Sequence, residues 1–272
     1  GCEGLGDNTP FWNIATGIPT SDVTRIALGV SAQNPNYVYA LIAKGDSTFK
    51  GVYRSTDNGS TFTTRSTTPN LLGYEIDGSD NGGQGFYDLA IAVSPTDANY
   101  LVIGGINHWI SADGGTTWTN TSVWNSGEVH ADVHDLYFLP GSGTTVFSCN
   151  DGGISKSINS GDQWTDISSN LAISQVVGIG LSQTNVNFIV SGHQDNGTNL
   201  KTASTWANIN GGDGGECFTD YTNNDVIYVQ YVQGAYSRSM NGGVDMDPIT
   251  TGLPSNIDFY SPFKIDPVNP LK

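Results

Sequence analysis

The 272-residue sequence predicts an all-β fold: a β-propeller of four-stranded antiparallel blades. Three observations predict it. No stretch keeps a helical hydrophobic period. Glycine is abundant, at 35 residues, and Asn, Ser and Thr crowd the stretches between short apolar runs, a composition suited to many tight turns joined by short strands. Two internal repeats also run in phase along the chain, the mark of a repeat architecture.

The first repeat is a corner motif. It places Ser55, Asp57, Gly59 and Phe62 in one copy, Ser111, Asp113, Gly115 and Trp118 in the next, and Ser157, Asn159, Gly161 and Trp164 in a third. A decayed copy holds Ser239, Asn241 and Gly243, and a further repeat keeps only Thr205-Trp206. The second repeat lies upstream of each corner: an apolar strand, a Pro/Asn/Asp turn and a second apolar strand. It begins at Ile26, Leu89, Ile179, Cys217 and Phe263. Each unit therefore reads strand, turn, strand, loop, strand, corner, strand, which is a propeller blade.

Five blades are expected, at about 22–66, 86–122, 133–168, 175–210 and 216–250 of a single propeller fragment. Parts of two more are expected at 1–19, where Phe11-Trp12 and Ile14 read as an outer strand, and at 258–272. A lone blade cannot bury both faces of its sheet, so the remaining blades of a longer precursor are expected as partners, in a parent of seven or eight. In the corner, Gly59, Gly115 and Gly161 are expected at positive φ. Asp57 and Asp113 are expected to accept backbone N–H groups across the turn. Trp118 and Trp164 are expected to seat the corner on the next blade. Asn159 in the third copy argues that the corner is structural, because Asn caps a turn but supplies no carboxylate.

This Ser-x-Asp-x-Gly-x-Thr-Trp corner resembles the Asp-box, or BNR, repeat of sialidases, xyloglucan-degrading endoglucanases, sortilin-type receptor domains and a photosystem-assembly propeller. The chain is most similar to exported Bacteroidetes proteins labelled BNR-repeat or glycosyl-hydrolase-like, many with a type IX secretion signal. The matching segments are 85–95, 104–107, His130 to His134, 150–153, 194–198 and 211–216, nearly the whole chain. The resemblance implies a secreted or cell-surface setting. Sialidases use an arginine triad and an Arg-Ile-Pro strand. This chain has no Arg-Ile-Pro, and Arg54 and Arg238 sit just before corner serines, so sialidase activity is not expected. The xyloglucan-degrading enzymes pair two propellers around a cleft, and this chain holds less than one.

The formal net charge is −16, with only 10 Lys and Arg. That leaves no basic footprint for nucleic acid and disfavours anionic membranes; no membrane-inserting segment is expected. Three cysteines form no disulfide framework, and Cys149 and Cys217, both inside predicted strands, are expected as buried free thiols.

Chemistry is expected on the blade face opposite the corners, where strand-1 lead-ins and strand 2–3 loops meet. That face carries Asp88, His130, Asp132, His134, Asp151, His193, Asp195, Asp213 and Glu216. His130, Asp132 and His134 alternate, so an extended strand would set them on one side, either as a metal site or as a hydrogen-bonded network. In the insertion 67–86, Asp77, Ser79 and Asn81, with Asp88 eleven residues after Asp77, echo a calcium loop; the alternative is a polar surface loop. Asp132, Asp151, Asp195 and Asp213 are the candidate acid and base of a glycoside hydrolase, against the reading that Asp and Gly simply make turns.

The leading expectation is a non-catalytic extracellular binding or scaffold propeller for a glycan or a protein. Its binding residues would be His130, Asp132, His134, His193, Asp195, Asp213 and Glu216. The rivals are a glycoside hydrolase and a structural segment of an adhesin or secretion substrate. Sugar binding predicts exposed aromatics at Tyr74, Phe86 or Tyr231.

Overall fold

Strand sequences such as Val38–Ala43 (VYALIA) and Leu101–Gly104 (LVIG) are apolar on both sides of the pleat and buried along nearly their whole length. A sheet of such strands is stable only when covered on both faces. The computed structural model, which describes residues 15–124, 129–171, 173–254, 257–266 and 268–269, shows how the coverage is achieved. The fold is all-β, built of propeller blades. Among the described residues there are five four-stranded antiparallel sheets, each a simple meander, and one short 3-10 turn at Ser168–Asn170. No helix among them is long and apolar enough to cross a membrane.

Blade 1 is β1 (Arg25–Val30), β2 (Val38–Ala43), β3 (Phe49–Ser55) and β4 (Phe62–Ser66). Blade 2 is β5 (Ala90–Val93), β6 (Leu101–Gly104), β7 (His108–Ser111) and β8 (Thr119–Asn120). Blade 3 is β9 (Val133–Phe138), β10 (Val146–Asn150), β11 (Gly153–Ser157) and β12 (Thr165–Asp166). Blade 4 is β13 (Val176–Leu181), β14 (Phe188–His193), β15 (Gly197–Thr202) and β16 (Thr205–Asn210). Blade 5 is β17 (Cys217–Thr219), β18 (Ile227–Gln230), β19 (Tyr236–Ser239) and β20 (Asp247–Pro248). The chain divides into two compact units, 1–171 with blades 1 to 3 and 172–272 with blades 4 and 5.

Within the first unit, β5 lies between β1 and β9. Its alternation assigns its side chains to two cores. Ile91 and Val93 point into the layer shared with blade 1, among Tyr39, Leu41, Val52, Leu101, Ile103 and Trp109. Ala90 and Ala92 point into the layer shared with blade 3, among Val102, Val133, Leu136, Phe138 and Val146. The second layer is thin: a Cβ on Gly104 would stand 2.4 Å from a Val133 methyl carbon. In the second unit, Phe188, Val190 and Leu200 of blade 4 meet Cys217, Ile227 and Val229 of blade 5.

The corners follow one plan. Ser55 Oγ donates to Asp57 Oδ1 (2.7 Å) and accepts the Gly59 N–H (2.8 Å), while Asp57 accepts the Thr61 N–H and hydroxyl (2.8 and 2.7 Å). Ser111, Asp113, Gly115 and Thr117 repeat it, and Ser157, Asn159, Gly161 and Gln163 do so with Asn in place of Asp. The copy at Ser239, expected as decayed, closes in the same way through Asn241 and Gly243. Gly59, Gly115, Gly161 and Gly243 all lie at φ between 83° and 92°, where a side chain is strained. Blade 4 has no such corner; β15 and β16 turn tightly through Ala203 at φ 53°, and Trp206 is left exposed.

Trp118 and Trp164 seat their corners on the preceding blade, not on the next one. Trp118 Nε1 donates to Ser66 Oγ of blade 1 at 2.9 Å, and the Trp164 ring lies 4.4 Å from His108 of blade 2. From β4, Arg65 reaches forward to the blade 2 corner, donating to the carbonyls of Gly114 and Asp113 and to Thr116 Oγ1. At the chain ends, the strand expected at Phe11-Trp12 and Ile14 lies outside the described residues. Thr16 forms a parallel bridge to Thr61, and Phe263 contacts Phe218 and Tyr236 without entering a strand. Cys217 is a buried free thiol, pushed up to about 12 by burial. Cys149, expected to be buried, is exposed. The inward position of β10 belongs to Ser148, whose hydroxyl meets His108 Nε2 at 2.8 Å.

Candidate functional site

An antiparallel meander puts the lead-in to strand 1 and the 2–3 turn at one end of the blade, and the 1–2 and 3–4 turns at the other. The ligand-type residues gather at the first end. In the first unit the lead-ins to β5 and β9 carry Asp88 and Asp132, and the 2–3 turns of blades 2 and 3 carry Asn107 and Asp151.

Asp151 is tied on both oxygens: Oδ1 meets His134 Nε2 at 2.6 Å and Oδ2 accepts the Tyr87 hydroxyl at 2.8 Å. The Tyr87 and His134 rings stand edge to face, 4.8 Å apart. Asp132 adopts the left-handed backbone (φ 62°), and its Oδ1 accepts Gln84 Nε2 at 2.7 Å. A carboxylate oxygen of Asp132 and one of Asp151 lie within 4.8 Å of each other.

Asp88 is fully buried, and neither of its oxygens accepts a hydrogen bond. Burial first, and then the neighbouring Asp132 carboxylate, push it up to about 9. Burial and the Asp151 carboxylate also push Asp132 up. A protonated Asp88 donates to Asp132, which eases the like-charge contact.

The left-handed turn at Asp132 changes the expected trio. β9 starts only at Val133, so His130, Asp132 and His134 do not share one face of an extended strand. His134 goes to Asp151, Asp132 goes to Gln84, and His130 Nδ1 lies 3.1 Å from the Ala131 carbonyl oxygen. The calcium-loop set also separates. Asp77, Ser79 and Asn81 are exposed, and Asp77 Oδ1 caps the Ser79 N–H, whereas Asp88 is buried against Asp132. The loop is instead closed by Asp80, which accepts the N–H groups of Glu75 and Gly82, and by Asn70, which donates to the carbonyls of Asp80 and Gly82.

Buried Asn107 pins this loop. It donates to the carbonyls of Gly73 and Tyr74 (both 3.2 Å) and accepts the Trp124 N–H (2.9 Å). Tyr74 and Trp124 thereby stand together, ring centroids 6.2 Å apart. The Tyr74 hydroxyl is raised by burial and by the Asp132 and Asp88 carboxylates. Tyr74 is 42% exposed and Phe86 63%. Arg25 of β1 donates to the Tyr87 carbonyl and steadies the lead-in. Asn70, Gln84, Tyr87 and Asn107 were not singled out from the sequence.

The second unit holds a separate group. His193 is bracketed by the hydroxyls of Ser174 and Ser191 and is held below its usual range by burial. Asp195, at φ 59°, donates its N–H to Asp213 Oδ1 at 3.1 Å. The Tyr260 hydroxyl is pushed up to about 12 by burial and then by Asp213 and Asp195. Tyr231 is 38% exposed. Glu216 pairs with Lys264 at 3.3 Å.

No protein-family model matches the chain, and no curated protein matches it. Among solved structures it is similar to the GH74 enzyme of Niastella koreensis (22% identity, 84% of this chain and 38% of that one, TM-score 0.42). It is also similar to the GH74 xyloglucanase of Xanthomonas campestris (16%, 83% and 38%, 0.38) and to YCF48 from Cyanidioschyzon merolae (13%, 90% and 90%, 0.38). The chain spans about 38% of the length of those two GH74 enzymes. Likenesses this distant carry no argument about activity.

Proposed function

We propose that the chain is a binding segment of an exported, Asp-box bacterial propeller, with the lead-in face of the first unit as its ligand surface and a glycan as its ligand. The observation that carries this reading is the grouping of exposed aromatic rings beside hydrogen-bonding carboxylates. Phe86, Tyr74 and Trp124 offer apolar faces next to Asp132 and Asp151, which accept hydroxyl groups. A sugar presents that same combination of apolar ring face and hydroxyl edge. Secretion, by a type IX signal or otherwise, belongs to the same proposal and is supported by the acidic, disulfide-free composition.

The test is affinity electrophoresis and calorimetry of the 272-residue chain against a panel of soluble polysaccharides. Retardation by one glycan class is expected, weakened about tenfold by Phe86→Ala with thermal stability unchanged. A protein partner captured in place of any glycan, or full glycan affinity in Phe86→Ala, would overturn the assignment. A second reading, glycoside hydrolysis, is favoured by one observation: the raised carboxyl Asp132 lies close to Asp151, an arrangement suited to acid and nucleophile. It predicts release of reducing ends that is lost in both Asp132→Asn and Asp151→Asn.

A further inference from the structure

We propose that Asp88, Asp132 and Asp151 form a binding site for one divalent, oxygen-seeking cation, calcium in chemical class, between the lead-ins of blades 2 and 3. The site does not depend on the glycan reading.

Three carboxylates arrive there from three separate turns, 44 and 19 residues apart in sequence. Asp88 carries the argument. It is fully buried, lies against Asp132, and has two oxygens that accept no hydrogen bond. A buried carboxyl in that condition is costly unless a proton or a cation satisfies it. Other features of the site explain its neighbours but leave Asp88 unserved. Gln84 occupies one oxygen of Asp132, His134 and Tyr87 orient Asp151, and Arg25 is used on the Tyr87 carbonyl.

The spacing fits an ion. Oxygens at about 2.3–2.6 Å on opposite sides of a calcium ion stand about 4.6–5.2 Å apart. The Asp132 and Asp151 oxygens lie within 4.8 Å, so a cation fits between them without a backbone shift. The left-handed backbone at Asp132 turns its carboxyl toward the lead-in of β5, a strained conformation of the kind that clusters at binding sites. The donors are carboxylate oxygens, which select a hard cation over zinc or copper. His130 and His134 are the nearby nitrogens, and His134 is already directed at Asp151.

When the cation binds, the Asp88–H bond breaks, the carboxylate takes up the metal, and the proton leaves to solvent. Calcium binding therefore releases about one proton at pH 7. The test is calorimetry of chelator-treated protein with calcium chloride in two buffers of different ionisation enthalpy, alongside thermal melts. Saturable 1:1 binding, a higher melting temperature and about one proton released are expected. Asp88→Asn and Asp132→Asn should each weaken binding about tenfold or more. Without calcium, Asp88→Asn should be at least as stable as the parent at pH 8, which separates a lost ligand from a lost fold. Asp77→Asn, in the exposed loop, should bind calcium unchanged. Absence of saturable binding at millimolar calcium, full binding by Asp88→Asn, no proton release, or tighter binding of zinc than of calcium would each overturn the proposal.

Discussion

The two ends of a blade use the same residue in opposite ways. At the corners, Asp57 and Asp113 sit near solvent, surrounded by donors. The Thr61 N–H, then the hydroxyls of Ser55 and Thr61, bring Asp57 down to about 2. Burial works against Asp113, but the N–H and hydroxyl of Thr117 and the hydroxyl of Ser111 still bring it to about 2. At the lead-ins, Asp88 is buried beside a second carboxylate, accepts nothing, and is pushed up to about 9. The difference teaches that donor supply decides whether an aspartate in a Gly-rich turn acts as a fastening or as a reactive group. Both kinds of turn look alike as strings of Asp, Asn and Gly.

The contrast can be broken most severely at Asp88. The unfolded chain releases this proton near the ordinary 3.8, the native protein near 9. Between those values the unfolded state binds fewer protons, so stability falls as pH rises, by up to about 1.4 kcal/mol per pH unit. His108 runs the other way. It is fully buried between the hydroxyls of Ser122 and Ser148, and burial holds it down to about 3 against 6.5, so its contribution is lost as pH falls through that window. Chelator-treated protein should therefore be nearly level between about pH 4 and 6.5 and lose stability above it. Asp88→Asn should abolish that loss: urea melts should separate widely from the parent at pH 8.5 and coincide at pH 4. Equal melts at pH 8.5 would erase the distinction between the two ends.

His108→Ala should cost about 3 kcal/mol, because it opens a hole beside Trp164 and strands two serine hydroxyls; denaturant midpoints at pH 7 measure it. Asp113→Ala should cost about 1 kcal/mol, a fall of about 2–4 °C in Tm, through loss of the corner hydrogen bonds. Asp113→Asn should cost only a few tenths of a kcal/mol, since Asn159 and Asn241 close the same corner without a charge. If Asn proved as damaging as Ala, charge, and not geometry, would be what the corner requires.

The corners and the strand–turn–strand units were legible because they are local: every hydrogen bond of the Ser111 corner lies within four residues. The lead-in face was legible as a location, since antiparallel connectivity alone collects those turns at one end. The pairings on it were not. Asp88 meets Asp132 across 44 residues, and the contact turns on a left-handed backbone at Asp132 that nothing in the string His130-Ala-Asp132 announces. The alternation rule therefore misassigned the trio, because it presumes an extended chain. Asn70 and Asn107 read as loop polarity, yet they fix where Tyr74 and Trp124 stand. Cys149 was misplaced because the inward side of β10 at that point carries a serine serving a buried histidine.

Arg65 gives the outer rim of the first unit a second means of communication. Its guanidinium, rooted in the last strand of blade 1, grips the carbonyls of the blade 2 corner, while Trp118 from that corner reaches back to Ser66. Two neighbouring repeats are thus buttoned together at the edge as well as glued in the middle. In a linear array whose stability is shared between repeats and their junctions, such a button raises the junction's share, so blades 1 and 2 should open as one cooperative block and not peel singly.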